Sequence, residues 1–348
     1  MTHLWVRAEQ RQNEARVGIT PEGVRALIAA GLRVTVEHSS SRAPGLTGYA
    51  EAGAEVAPEN SWPGAPADAI IFGLKELPDD GTPLVHRHIM FGHAYKGQHS
   101  GRRLLDRFKA GGGVLYDLEY LVDEDGRRVA AFGYWAGFAG AAVALKAWLA
   151  GRRGAPCGPV AACPSRDALL APLQQELQEG GERPRVLVIG ALGRVGTGAA
   201  DLCDATGLPV TRWDIPETES GGPFPEILAH DIFLNCIFAR PGTPVFVPHA
   251  ALAGPRALRV IGDIACDPDS DYNPVPVYDR ATTWNAPVIR VHEAPPMDVM
   301  AIDNLPSLLP VESSQDFAAQ LLPSLLALGD LDAGVWGRAR DVFDRHVG

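Results

Sequence analysis

The chain has 348 residues, 46% hydrophobic and 21% charged, with 31 basic against 42 acidic side chains and a net charge of −11. That length predicts two α/β domains, and an acidic balance without a basic stripe or interleaved aromatics argues against a nucleic-acid partner. No apolar run reaches bilayer length, and the opening MTHLWVRAEQ reads as a first strand rather than a secretory leader, which predicts a cytoplasmic protein.

In chain order, TPEGVRALIAAGL predicts a helix with Thr20 as cap, Pro21 in the first turn and Gly31 at its end, and LRVTVE follows as a strand. Three apolar runs, ADAIIFGLKE, HIMFGHAYK and GGVLYDLEY, end in Lys75 and Glu76, in His93 and Lys96, and in Asp117 and Glu119. Parallel strands deliver their carboxyl ends to one edge, where open α/β sheets bind ligands. His86 and His88 precede the second run and are expected at the surface. Residues 139–182 predict a long helix, a loop rich in Gly, Pro and Cys, and a second helix leading into RVLVIGALGRVGTG and then PVTRWD. Helices close the chain after residue 305. The expected fold is α/β, two Rossmann-like doubly wound domains with parallel sheets and an inter-domain active-site cleft. Residues 1–133 with 312–348 are expected to form a discontinuous substrate and catalytic domain, and 134–311 an NAD-binding domain.

The glycines Gly190, Gly193 and Gly196, spaced G-x-x-G-x-x-G between a strand and a helix, predict a dinucleotide cradle: the backbone turns sharply and helix N–H groups face a pyrophosphate. Asp214, at the end of the next strand, is expected to accept ribose hydroxyls in preference to capping a turn. A carboxylate about 4 Å from a 2′-phosphate repels each unit charge by about 4 kcal/mol at an effective dielectric of about 20, which favours NAD over NADP. With a nicotinamide, the chemistry is hydride transfer at a carbon bearing OH or NH, and Lys75 and His93 are the candidate proton carriers. To act as a base, a lysine must lose roughly 2 to 3 pKa units from about 10; histidine needs less tuning. Glu76 points to the other strand face from Lys75. Cys157, Cys163, Cys203, Cys236 and Cys266 contain no C-x-x-C pair and are expected as free buried thiols, and no cluster has metal-ligand spacing, so no metal is expected.

RAE at 7–9, EARVGITP at 14–21, GLKELP at 73–78, FGHAYK at 91–96, YDLEYL at 116–121, GRRVAAFG at 126–133, GALGRVGTGA at 190–199, WDIPET at 213–218 and IDNLPSLLP at 302–310 together resemble the NAD-dependent, lysine-forming saccharopine dehydrogenases. A more distant similarity is to alanine dehydrogenase. The resemblance implies oxidation of a secondary amine that joins an amino acid to 2-oxoglutarate, followed by imine hydrolysis. It implies Lys75 as the base on the amine and His93 as proton carrier in the hydrolysis. Arg16 and Arg128 would hold carboxylates; Lys96, Gln98, Phe132, Ala265, Cys266 and Asp267 would meet substrate, and Glu76 and Glu119 would balance positive charge. Arg127, Arg194, Thr218, Phe238, Ile264, Ile302, Asp303, Asn304 and Leu305 match cofactor-contacting positions, alongside the three glycines and Asp214.

Four positions depart from the family pattern: Arg11 for lysine, Ala265 for serine, Asn304 for histidine and Val311 for arginine. Val195 stands where some relatives carry a cysteine facing the position of Cys236, so that disulfide is excluded. The departures leave the amine half of the substrate open. An opine-type dehydrogenase that joins another amine or amino acid to a 2-oxo acid remains an alternative, as do an alanine dehydrogenase and a noncatalytic NAD-binding sensor. The expected partners are small-molecule substrates only, with no membrane and no nucleic acid, and the resemblance suggests a monomer.

Overall fold

A computed structural model describes residues 1–95 and 99–347. The chain divides into two compact units, Met1–Ala131 with Pro310–Gly348, and Phe132–Leu309. In chain order the elements among the described residues are β1 (His3–Val6), α1 (Pro21–Ala29), β2 (Arg33–Glu37), β3 (Glu55–Ala57), β4 (Ile70–Phe72), β5 (Arg87–Met90), α2 (His99–Gly111), β6 (Val114–Asp117), α3 (Gly133–Arg152), α4 (Arg166–Gly180), β7 (Val186–Ile189), α5 (Arg194–Thr206), β8 (Val210–Trp213), α6 (Ile215–Thr218), α7 (Pro225–Ala229), β9 (Ile232–Asn235), β10 (Val260–Asp263), β11 (Ile289–Glu293), β12 (Pro296–Met300), α8 (Pro310–Leu326) and α9 (Gly334–Val347), with short 3-10 turns between some of them. Among the described residues, no helix is long and apolar enough to cross a membrane.

The first unit carries a sheet of order β3-β2-β1-β4-β5-β6, parallel throughout. This doubly wound order reverses between β1 and β4, and ligands bind at such a switch point, outside the carboxyl ends of the strands. α1 forms as its sequence predicts: the Thr20 side chain accepts the Gly23 N–H at 3.3 Å, Pro21 occupies the first turn, and Gly31 follows the helix at φ +88°. His86 and His88 are buried, contrary to expectation. His88 lies within β5, boxed edge-on by Trp62 at 5.2 Å and Phe108 at 5.5 Å, while a ring nitrogen of His86 meets the Ala65 carbonyl at 3.1 Å. The reason is topological: β5 is an interior parallel strand covered on both faces, so even its polar positions leave water.

The second unit carries the order β11-β12-β10-β9-β7-β8. It is parallel except for β11, which runs antiparallel to β12. Only Ala294 and Pro295 separate those two strands, and so short a connection permits only an antiparallel return. The apolar helix α3 is buried along most of its length and crosses α5 with backbones in contact. A Cβ on Gly137 would sit 1.8 Å from the Val195 carbonyl oxygen, and one on Gly198 would sit 1.9 Å from that of Tyr134. Glycines at that crossing therefore fix α5, whose amino end faces the glycine-rich turn. All five cysteines are free; Cys157 and Cys203 are buried, and Cys163, Cys236 and Cys266 are partly exposed.

Candidate active site

In the first unit, the titratable residues gather where the ladders of β1, β4, β5 and β6 end. Lys75, half-buried, follows β4 at the switch point. Its backbone N–H donates to Glu9 Oε2 at 3.0 Å, and Glu9 Oε1 accepts the Leu74 N–H at 2.6 Å. Glu14 and Arg16 are almost wholly buried and paired, with Arg16 Nε 2.8 Å from Glu14 Oε1 and Nη2 2.6 Å from Oε2. Burial alone would raise the Glu14 carboxyl, but the charge and hydrogen bonds of Arg16, joined by the charge of Lys75, hold it at about 2. Glu14 thus stays ionised beside Lys75 and locks the guanidinium fork of Arg16. Glu76 is exposed, and its carboxylate lies 3.6 Å from Arg11 Nη1.

His93 adopts φ +48°, a left-handed backbone uncommon for non-glycine residues, although histidine enters it more readily than most. Its ring stacks on Phe91 at 6.2 Å, and Nδ1 lies 3.4 Å from Glu119 Oε2. Beneath them Asp117 is fully buried, and its Oδ1 accepts the Glu119 N–H at 2.9 Å. Burial pushes the Asp117 carboxyl up, against the pull of that N–H and of the His93 charge. His93 and Glu119 therefore come together from adjacent strand ends. Arg127 and Arg128 lie exposed on the turn that follows Asp123, whose carboxylate accepts the Arg127 N–H at 2.8 Å. Lys96 and Gln98 lie outside the described residues.

In the second unit, Gly190 follows β7 at φ +85°. A Cβ on it would meet the Ile237 side chain at 2.7 Å and the Cys236 carbonyl oxygen at 3.0 Å; one on Gly196 would lie 2.0 Å from the Gly190 carbonyl oxygen. Those two glycines are demanded by the turn itself. Gly193 is not: its φ is −78° and a Cβ there would reach only ordinary contact at 3.4 Å. It leads into α5, which has no side-chain cap, so a glycine there keeps the helix amino terminus open to an anion. Arg194 opens α5 and is exposed. These features fit a dinucleotide pyrophosphate.

Asp214 does cap a helix, contrary to the preference drawn from sequence. Its Oδ1 accepts the Ile215 N–H at 3.0 Å, Glu217 closes a capping box, and Oδ2 accepts the Leu192 N–H of the glycine-rich turn at 2.9 Å. A carboxylate has about four acceptor positions, so these bonds leave capacity for ribose hydroxyls. Thr218 is buried, with its hydroxyl on the Asp214 carbonyl at 3.1 Å, whereas Phe238 is exposed after β9. Ile264, Ile302 and Leu305 send their side chains into the core, while Asp303 is exposed and Asn304 half-exposed. Asn304 Nδ2 donates to Ser307 at 2.7 Å. Phe132 precedes α3 as its cap residue.

The segment after β10 is set from below. Buried Asp263 accepts Asn235 Nδ2 at 3.0 Å and the Tyr278 hydroxyl at 2.7 Å. Ala265 and Asp267 are exposed. Between them Cys266 takes φ +49° and donates its thiol to the Ala301 carbonyl at 3.0 Å; burial, then the neighbouring aspartates, push that thiol up to about 12. Such a thiol stays protonated at neutral pH and is no nucleophile.

Residues 5–139 match the family described as alanine dehydrogenase/PNT, N-terminal domain. The NAD(+)-dependent, L-lysine-forming saccharopine dehydrogenase of Schizosaccharomyces pombe is 45% identical over 363 residues, which cover 99% of this chain and 98% of that one. Its counterpart from Candida albicans is 44% identical over 369 residues, covering 99% and 97%. The chain belongs to the saccharopine dehydrogenase family. In fold it is similar to a solved L-alanine dehydrogenase, with a TM-score of 0.70 and 18% identity over 99% of this chain and 94% of that one.

Two of the four departures from the saccharopine dehydrogenase pattern have a structural account. Arg11 keeps a positive charge and spends it on Glu76. Val311 packs on Gly45 beside Ala15, Val17, Ala43 and Leu46, so its site is apolar in this chain. Sequence reasoning gave no role to Arg7, Glu9 or Glu14. The available signals were RAE at the end of a buried strand, and the i, i+2 spacing of Glu14 and Arg16, which puts two extended residues on one side.

Proposed function

We propose that the chain oxidises saccharopine with NAD(+) and water to L-lysine, 2-oxoglutarate, NADH and a proton. Membership in a family of NAD(+)-dependent, L-lysine-forming enzymes, at 45% identity across 99% of the chain, carries this conclusion. Bound NAD(+) supplies the hydride acceptor, and Gly190, Gly193, Gly196 and Asp214 would hold it.

The remaining chemistry belongs to side chains. Neutral Lys75 takes the proton of the secondary amine, leaving the nitrogen lone pair free to form the carbon–nitrogen double bond as hydride departs from the adjacent carbon. His93, held against Glu119, then takes a proton from the water that attacks the imine carbon and returns one to nitrogen as the carbon–nitrogen bond breaks. Arg16, whose Nε and Nη2 are taken by Glu14, offers its remaining guanidinium N–H groups, and Arg128 its planar fork, to carboxylates of the glutarate half. Lys96, Gln98, Phe132, Ala265, Cys266 and Asp267 complete the substrate contacts; Arg127, Arg194, Phe238, Asp303 and Asn304 offer side chains to the cofactor, and Thr218, Ile264, Ile302 and Leu305, whose side chains are buried, would meet it through their backbone. The proposed working form is a cytoplasmic monomer.

The test is Lys75→Met. Saccharopine-dependent NADH formation should fall by about 10²-fold or more while NADH affinity stays within about twofold, because Lys75 acts on the amine and not on the dinucleotide. Undiminished turnover would remove Lys75 from the role of base.

A further inference from the structure

The ladder between β1 and β4 runs from Leu4↔Ile70 to Val6↔Phe72 and ends with the Arg7 N–H on the Phe72 carbonyl at 2.9 Å. Beyond that point the two strands separate, and side chains from β1 take over from the backbone. Glu9 reaches across with both oxygens, Oε1 to the Leu74 N–H at 2.6 Å and Oε2 to the Lys75 N–H at 3.0 Å. Arg7, 2% exposed, donates Nη2 to the Lys75 carbonyl and Nη1 to the Ala8 carbonyl at 3.1 Å. The two side chains also meet each other, Nη1 to Oε2, at 3.4 Å.

Both backbone polar groups of Lys75 are therefore held by one ion pair. A third residue makes this possible. A Cβ on Gly73 would fall 2.4 Å from Arg7 Nε and 2.5 Å from Cζ, so only glycine at 73 lets the guanidinium lie against the chain and reach the Lys75 carbonyl. Buried charges normally serve their own neutralisation. Here each member of the pair is directed at the peptide of one residue at the switch point of the sheet.

We propose that Arg7 and Glu9 are positioning residues for Lys75, clamping its peptide so that the amine is delivered to one place, a role that rests on the reading of Lys75 as the base. With its backbone fixed, Lys75 has only side-chain torsions left to order when substrate arrives. Loss of the clamp should then lower the rate of the chemical step rather than the binding of either reactant, since displacement of a reacting group by about 1 Å costs about 10²-fold.

The experiment is a double-mutant cycle on the full chain, with saccharopine and NAD(+) as substrates. Glu9→Gln keeps the size and one acceptor oxygen but abolishes the second acceptor and the charge facing Arg7. It should lower kcat about 10- to 100-fold with KM for NAD(+) within about twofold. Gly73→Ala, which obstructs Arg7 without touching Glu9, should give the same kcat loss. In a Lys75→Met background, adding Glu9→Gln should change the residual rate by less than about twofold, because a residue that acts through Lys75 has nothing left to position. Wild-type kcat in Glu9→Gln, or the same fold loss again in the Lys75→Met background, would overturn the clamp. Full activity in Lys75→Met would instead overturn the base, and the clamp with it. Should Glu9→Gln fail to fold, Glu9→Asp and Gly73→Ala carry the cycle with the same criteria.

Discussion

Glu14→Gln separates the charge of the buried Glu14–Arg16 pair from its shape. Glu14 is 1% and Arg16 3% exposed, and the carboxylate accepts Arg16 Nε, Nη2 and backbone N–H. A carboxyl held at about 2 against an ordinary 4.5 contributes about 3 kcal/mol at neutral pH. The proton linkage considered is that of Glu14. Because the folded value is depressed, that stability is complete above the unfolded carboxyl value of 4.5 and is lost as pH falls from there to about 2. Glutamine resembles the protonated acid, so the variant should be less stable by about 3 kcal/mol near neutral pH and equal to wild type near pH 2. Urea denaturation followed by tryptophan fluorescence reads both limits, with Trp5, Trp62 and Trp336 reporting the first unit. A difference below about 1 kcal/mol near neutral pH, or one that persists undiminished in acid, would refute the electrostatic account of the pair.

Asp214→Ala removes a cap worth about 1 kcal/mol and the acceptor for ribose, so NAD(+) affinity should fall about 10- to 100-fold and discrimination against NADP(+) should relax; a native preference for NADP(+) would contradict this. Gly196→Ala would place a methyl 2.0 Å from the Gly190 carbonyl oxygen, so NADH titration by fluorescence should show at least about tenfold weaker binding. Unchanged binding would mean the turn yields at little cost. His88, among Trp62, Phe108, His86, Arg7 and Arg107, is held well below its ordinary value by burial first and then by those positive neighbours. Its neutral form stabilises the fold fully above about pH 6.5, and stability should drop by up to about 1.4 kcal/mol per pH unit below that. His88→Phe should flatten that acid slope in urea midpoints, and an unchanged slope would assign it to other groups.

The sequence shows the fold wherever a local rule meets the global one. Thr20, Pro21 and Gly31 bound α1 because capping chemistry is local, and the glycine-rich turn is legible because a strand, its glycines and a helix follow in order. The proximity of His93 and Glu119 follows from parallel strand ends sharing an edge. What depends on coverage from distant elements is not legible. His86 and His88 look polar in sequence, yet β5 is interior. The Asp214 cap is local and legible in Ile215 and Glu217; its bond to the Leu192 N–H, 22 positions away, is not. The grip of Arg7 and Glu9 on Lys75 joins residues more than 60 positions apart and leaves only the isolated triplet RAE as a sign.

Saccharopine-dependent reduction of NAD(+), with the products identified by mass, tests the central claim most directly. NADH, lysine and 2-oxoglutarate should form in equal amounts, and in reverse NADH should be consumed with 2-oxoglutarate and lysine but not with ornithine, polyamines or ammonia. Turnover with another amine and none with lysine would contradict the substrate assignment while keeping the chemistry, and NADH binding without turnover of any amine would contradict the enzyme.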